Sequence, residues 1–249
     1  MTSTYVEGKD GSWDFEHLSE DLIKVNRRKK VQGRHRGFDI QGPFWLMGTL
    51  VIKKGRMTFV RGGEAIEHRA GDRVGFCYPP FSIVEFINQD LELEGIAFLA
   101  AEKFRKGPKE AIRFPFDIER AMDLPFIEEF PSPKVVSRCD RPNVLALRLK
   151  DSLDKNFDSE SKISDLAAQL GLSHAAATRA FKQCYGLTPV EYRSWLRVVA
   201  ATFSHLLKGA KITEAAHLSG FEDLSRFNKQ FNRITGTVPS KFAKTRKLQ

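Results

Sequence analysis

Cysteine is scarce in this chain, with 3 in 249 residues, at positions 77, 139 and 184. Three thiols so widely spaced form neither a disulfide framework nor a zinc motif, and they suit a reducing cytoplasm. No apolar run approaches the roughly 18 residues of a membrane span, so no membrane partner is expected. The first residues, Met1-Thr-Ser-Thr-Tyr-Val-Glu, lack the basic-then-apolar pattern of a secretory signal. Histidine is sparse between residues 35 and 100, where only His35 and His68 occur and no His-x-His is found. A metal-dependent active site needs several such ligands close together. His68 with Glu64 and Glu67 reads more simply as a solvated hairpin. No Ser/His/Asp set and no phosphate loop stands out, so neither catalysis, a metal nor a cofactor is expected.

What the chain does have is a repeat. The first copy reads Ala167, Gly171, Ser173, Phe181, Gly186, Pro189, Tyr192; the second reads Ala216, Gly220, Phe231, Gly236, Pro239, Phe242. In each, a Phe is followed by Gly, Pro and an aromatic at the same spacing. A small residue lets two helices cross closely, a glycine ends the first helix at positive φ, and Ser173 or Asp223 caps the second. Charge follows the repeat. The formal net charge is +9, and residues 142–249 hold 17 Lys+Arg against 9 Asp+Glu. A repeated reading unit on a basic segment points to DNA.

Residues 35–100 carry strand patterning. Gly62-Gly63 and Asn88-Gln89-Asp90 predict hairpins, Gly71-Asp72 a turn, and Pro79-Pro80 a strand end. Short strands with such turns argue for a small antiparallel barrel or sandwich. Before them, residues 1–34 are weakly patterned. Trp13, Phe15, Leu18, Leu22, Ile23 and Val25 suggest one short amphipathic segment, and Arg27-Arg28-Lys29-Lys30 reads as a solvated face or, more sharply, an anion contact. Glu119–Met122 suggests a helical turn, Pro131-Ser-Pro133 a connector, and Arg141-Pro142 a helix entry. From Asn143 onward helix follows helix, with one long helix expected over 189–208. At 1.5 Å per residue it would be roughly 30 Å long, near one turn of B-DNA.

Residues 142–249 resemble the DNA-binding domain of AraC/XylS-type bacterial transcription regulators. The second unit carries Ile212-x-Glu214-x-Ala216-x3-Gly220-Phe221-x-Asp223-x-Ser225-x-Phe227-x3-Phe231-x4-Gly236-x2-Pro239-Ser240. The first supplies Leu166-Ala167, Ser173, Arg179-x-Phe181-Lys182, Gly186-x-Thr188-Pro189 and Tyr192, with Arg197 and Ala200 on the linking helix. Ser219, Phe242-Ala243, Ala175 and Thr178 depart from the family's habits. The resemblance implies groove-facing His174, Ala175, Thr178, Arg179 and Lys182 in the first unit, and Ser225, Arg226, Asn228 and Lys229 in the second. Arg can bond guanine and Asn adenine bidentately, while Lys182, Lys229 and Arg233 suit phosphates. The plainer alternative for each is a solvated helix face. With Ala175 and Thr178 small, the first unit should discriminate less, giving one asymmetric bipartite half-site per chain.

The resemblance also implies a multidomain α and β chain. An N-terminal cupin-like antiparallel β-barrel over 1–130 would bind an effector, dimerise, or both. A linker over 131–141 and an all-α domain over 142–249 with two helix-turn-helix units would follow. The expected partners are double-stranded promoter DNA and a second copy of the chain, with a small-molecule effector and RNA polymerase as further candidates. Phe44, Trp45, Phe59, Phe76, Tyr78 and Phe86 would line the barrel, with Arg34, His35 or Arg36 near its mouth. Two alternatives stand beside this reading: an N-terminal half that only dimerises or contacts protein, and a cupin enzyme tethered to DNA.

Overall fold

The computed structural model describes residues 2–61, 64–104, 106–137, 143–243 and 246–247. Its strands are β1 (Thr2–Gly8), β2 (Gly11–His17), β3 (Leu22–Lys30), β4 (Arg34–Ile40), β5 (Phe44–Arg61), β6 (Glu64–Arg69), β7 (Arg73–Tyr78), β8 (Ile83–Ala101), β9 (Ile112–Pro115), β10 (Lys134–Val135) and β11 (Arg246–Lys247). They form one antiparallel sheet in the order β10-β9-β7-β5-β8-β3-β2-β1-β11, with β4 added to β8 and β6 to β5. The two long strands fold this sheet over. The first part of β5 pairs with β7 and the last part of β8; its final residues pair with β6 and the start of β8.

The bend explains one departure from expectation. Asn88-Gln89-Asp90 is not a hairpin: β8 runs through it. Asp90 takes φ 46°, Gly55 opposite takes φ 74°, and the β5–β8 register shifts twice around Gly55. Turn-forming residues here bend a strand without reversing it. A second departure lies in residues 1–34. The expected single amphipathic segment is two paired strands, with Phe15 opposite Val25 and Trp13 opposite Arg27. The basic run is divided by the same alternation: Arg27 and Lys29 are half-buried, Arg28 and Lys30 exposed. The turn at Gly71-Asp72 is present, joining β6 to β7, which both pair with β5. Gly62-Gly63 and Arg141-Pro142 lie outside the described residues, although the strands flanking the glycines do pair.

A 3-10 helix over Ile118–Phe126 covers one sheet face. The helices are α1 (Val144–Lys155), α2 (Ile163–Gln169), α3 (His174–Tyr185), α4 (Pro189–Ala200), α5 (Ile212–Leu218), α6 (Leu224–Thr235) and α7 (Pro239–Phe242). The expected long helix is helical throughout but not uniform. After α4 come a π-helical turn, Ala201–His205, and a 3-10 turn, Leu206–Lys208, ended by Gly209 at φ 89°. Within this segment Thr202 Oγ1 donates to the Val198 carbonyl at 2.8 Å. Among the described residues, no helix is long and apolar enough to cross a membrane.

Three apolar clusters hold the structure. One joins the inner sheet face (Phe15, Leu50, Phe76, Tyr78) to Leu206, Phe227, Phe231 and Phe242. A second surrounds Phe181, Tyr192 and Leu149, and takes Ile40 and Ile83 from the sheet. The third, on the outer face, packs Trp45, Met47, Cys77 and Phe114 under Leu124. Cys77 is a fully buried thiol, whereas Cys184 is disulfide-bonded, against the expectation that no cysteine is bridged.

Candidate nucleic-acid interface and adjoining cavity

Both candidate reading helices are built alike. Ser173 Oγ accepts the Ala176 N–H at 3.2 Å at the start of α3, and Asp223 Oδ1 accepts the Arg226 N–H at 2.6 Å at the start of α6. Each satisfies a backbone donor that the first turn leaves open. Gly171 (φ 71°) and Gly220 (φ 82°) turn the chain between the helices of each pair. The loops are equal in dihedral but not in room. A Cβ on Gly171 would meet nothing within 4 Å, whereas one on Gly220 would lie 2.3 Å from the Asp158 carbonyl oxygen.

Phe181 in α3, and Phe227 and Phe231 in α6, are fully buried, so the opposite helix faces turn outward. In α3, His174, Ala175, Arg179 and Lys182 are exposed and Thr178 is half-buried; in α6, Ser225, Arg226, Asn228, Lys229 and Arg233 are exposed. They do not form one stripe. At 3.6 residues per turn, Arg226 and Asn228 sit about 200° apart. Lys229 stands directly opposite the buried Phe227 and Phe231, with Ser225 and Asn232 to one side of it and Arg233 and Arg226 to the other. Aligning the two N-caps matches Arg179 to Lys229, Lys182 to Asn232, and Gln183 to Arg233. Asn232 and Gln183, both exposed, are absent from the sequence-based set, yet helical periodicity alone would have found them.

The linking helix is tied down by charge. Thr188 and Glu191 form a capping box: the Thr188 N–H reaches Glu191 Oε2 at 2.7 Å and the Glu191 N–H reaches Thr188 Oγ1 at 3.2 Å. Burial pushes the Glu191 carboxyl up, but the hydrogen bonds it accepts from the Thr188 N–H and, at 2.8 Å, the Thr188 hydroxyl, with Arg233 and Lys182 nearby, leave it below its usual range. Arg197 donates to the carbonyls of Phe157 and Ser159 at 2.6 and 2.7 Å, fastening α4 to the loop before α2. Burial, then Arg193 and Arg226, lower its pKa to about 10. Arg226 therefore lies toward α4 and its arginines, on the flank of α6.

A cavity of about 260 Å³ lies between sheet and helices. Its walls include Phe15, Arg27, Asp39 and Phe76 from the sheet, and Trp195, Phe203 and Ile234 from the helices. Most of the lining is apolar. Arg27 Nε is buried without a hydrogen-bond partner, as is Thr49 Oγ1. Beside Arg27, burial and then Arg27 itself lower the Lys29 pKa to about 8. Of the nine residues expected from sequence to line the barrel or stand near its mouth, Phe76 lines this space. Phe44, Tyr78 and Phe86 belong to the same inner cluster. Trp45 follows Phe44 on one strand, so it faces the other side and packs with Phe114 and Leu124. Arg34 and His35 are exposed on β4, opposite Gln89 and Asn88.

A family of helix-turn-helix domains matches residues 166–245. The HTH-type transcriptional activator RhaS of Pectobacterium atrosepticum is 32% identical over 87 residues, 35% of this chain and 31% of that protein. The chain carries a DNA-binding domain of the AraC/XylS type. The HTH-type transcriptional regulator ExsA of Pseudomonas aeruginosa is 27% identical over 97 residues, 38% of this chain and 34% of its own length. The chain thus spans about a third of the length of the curated relatives it matches. ToxT from Vibrio cholerae has the same overall fold, with a TM-score of 0.54 at 12% identity over 90% of this chain and 98% of ToxT. A ToxT structure with bound unsaturated fatty acid scores 0.51, again at 12% identity, over 92% of this chain and 96% of that one. A large antiparallel sheet followed by a helical region with two helix-turn-helix units is the two-part architecture expected from the sequence.

Proposed function

We propose that this chain is a cytoplasmic transcription regulator that binds promoter DNA through α3 and α6 and senses a small molecule in the cavity between sheet and helices. In this reading residues 1–130 sense and dimerise, 131–141 connect, and 142–249 read DNA. The observation that carries it is the cavity's wall. Trp195 and Phe203, the latter in the π-helical turn, belong to the segment that joins the two helix-turn-helix units. π-turns recur at functional sites because they interrupt the regular hydrogen-bond ladder. A molecule seated there touches the sheet, the linking segment and α6 together, so its differential affinity for two arrangements would shift DNA binding.

The lining favours an apolar body with one acidic group directed at Arg27. Support comes from the ToxT structure that holds an unsaturated fatty acid. The test is DNA binding by the full chain, on sites selected from random duplexes, with and without oleate. If about six phosphates are neutralised, log K falls with log salt at a slope near −5. Oleate should change the affinity, and Arg27→Gln should remove that response while leaving DNA binding intact. Unchanged affinity with saturating oleate refutes this ligand class; absence of sequence-selective binding refutes the regulator reading. Sedimentation at working concentration tests the homodimer.

A further inference from the structure

The sheet buries a cation without a counter-ion. Arg113 in β9 is 3% exposed, and among the described residues no carboxylate lies within 4.0 Å of it. Its Nε donates to Tyr78 Oη at 2.8 Å, and Nη2 donates to the same oxygen. The guanidinium lies 4.1 Å from the centre of the Phe59 ring and 5.0 Å from that of Phe76. Its third arm, Nη1, is buried with no acceptor. Tyr78 does not neutralise it: burial holds the phenol up at about 12, despite Arg113. A buried charge left like this is costly unless something pairs with it.

A second orphan lies beside it. His68 Nε2 is also buried with no hydrogen-bond partner, while Nδ1 sits 3.8 Å from Asp72 Oδ2. The His68 ring meets Phe59 edge-on. Burial, then Arg113 and, more weakly, Lys134, hold the imidazole down at about 4 against the pull of Asp72. Both orphaned side chains line one cavity of about 290 Å³ at the sheet's edge, away from the helices, with Arg73, Phe114 and Lys134 as further walls. Arg73 is paired with Asp117 at 2.9 Å, and Asp72 accepts the Arg69 N–H at 2.8 Å. Arg113 Nη1 and His68 Nε2 are therefore the buried nitrogens of this cavity left without a partner, with the exposed Lys134 at its rim.

We infer that Arg113 and His68 form a second ligand site, separate from the cavity against the helices, for a small oxyanion: a carboxylate or a phosphate. The anion accepts from Arg113 Nη1 and from the Nε2–H tautomer of His68, a charge-assisted pair of donors in a desolvated setting. Val74, Phe114 and Pro115 leave room for a compact apolar body on the anion.

The experiment is a histidine 15N titration of the full chain at constant ionic strength, with inorganic phosphate in one arm and benzoate in the other, each against chloride. The expected result is a saturable movement of His68 Nε2 with at least one probe, while His17 and His205 stay still. Arg113→Gln should weaken that binding by about tenfold or more. Preference for benzoate assigns a carboxylate, preference for phosphate a phosphate. If neither probe moves His68 beyond the chloride control, or Arg113→Gln leaves the movement unchanged, the site is refuted. Should Arg113→Gln fail to fold, calorimetry on His68→Gln decides: weaker binding supports the site and equal affinity overturns it.

Discussion

The two helix-turn-helix units share a scaffold and differ in what holds them. The first packs Phe181 against Tyr185 and Tyr192 in a cluster of its own, with Ile40 and Ile83 as its buried contacts from the sheet. The second is continuous with the sheet's inner core: Phe231 meets Phe242 at 5.4 Å, and Phe242 meets Phe15 of β2 at 5.9 Å. The cavity follows the same division, since Ile234, Thr235 and Phe242 line it and no residue of α2 or α3 does. Duplicated sequence thus yields one candidate reading helix backed by its own core and one backed by the sheet. A molecule in the cavity would touch the end of α6 directly and would reach α3 only through α4.

The largest expected effect breaks or sustains this contrast. Phe181→Ala and Phe231→Ala each remove a fully buried ring, at a cost of about 3–5 kcal/mol. The damage should travel differently. Phe231→Ala should raise amide exchange in β2, and Phe181→Ala should leave β2 protected. Equal exchange of β2 in both variants would show that the two cores behave as one.

The turn glycines come next. Gly171→Ala meets open space, so its cost is the left-handed backbone alone, about 1–2 kcal/mol. Gly220→Ala adds a collision with the Asp158 carbonyl, 2.3 Å away. Denaturant melts should rank Gly220→Ala as the more damaging, and the reverse order would remove the asymmetry between the turns.

At the DNA surface the contrast sharpens further. Arg179 and Lys229 occupy matched, outward positions, so Arg179→Ala should lose about 1–3 kcal/mol of discrimination if it reads a base. Lys229→Ala should instead lower affinity on all sequences and reduce the salt slope by about 1, as a phosphate contact does. Arg226, on the flank toward Arg193 and Arg197, should affect sequence preference less than Arg179. A larger effect at Arg226 would mean that α6 enters the groove on its α4 side.

Much of this was legible in the sequence because it is local. The caps Ser173 and Asp223, the glycines at 171 and 220, and the anchors Phe181 and Phe231 all act within one turn of their neighbours. The cavity was not legible, because Arg27, Phe76, Trp195 and Ile234 meet only after the sheet has folded over and the helices have docked. Strand parity was available and would have separated Trp45 from Phe44. The bend at Asp90 was not, since its residues suit a reversal equally well and β5 decides between the two. The π-helical turn at Ala201–His205 left no mark in a pattern that reads as uninterrupted helix.

The smallest effect sets the two units against each other by pH. In the first, Asp154 accepts from Tyr192 Oη and Lys150, both at 2.6 Å, yet burial outweighs them and raises its pKa above 3.8. The folded state then holds that proton more tightly than the unfolded one, so this contribution weakens as pH rises through the ordinary carboxylate range. In the π-turn beside the second unit, burial and then Lys208 lower the His205 pKa below 6.5. Here the unfolded state binds the proton more tightly, so this contribution is present above about 6.5 and fades as pH falls below it. Moving from pH 7 to pH 5 should therefore raise amide exchange in α6 relative to α3. His205→Gln should flatten that difference, and Asp154→Asn should not. A change in α3 that equals or exceeds the change in α6 over this interval would mean the linking segment transmits His205's titration to both units alike.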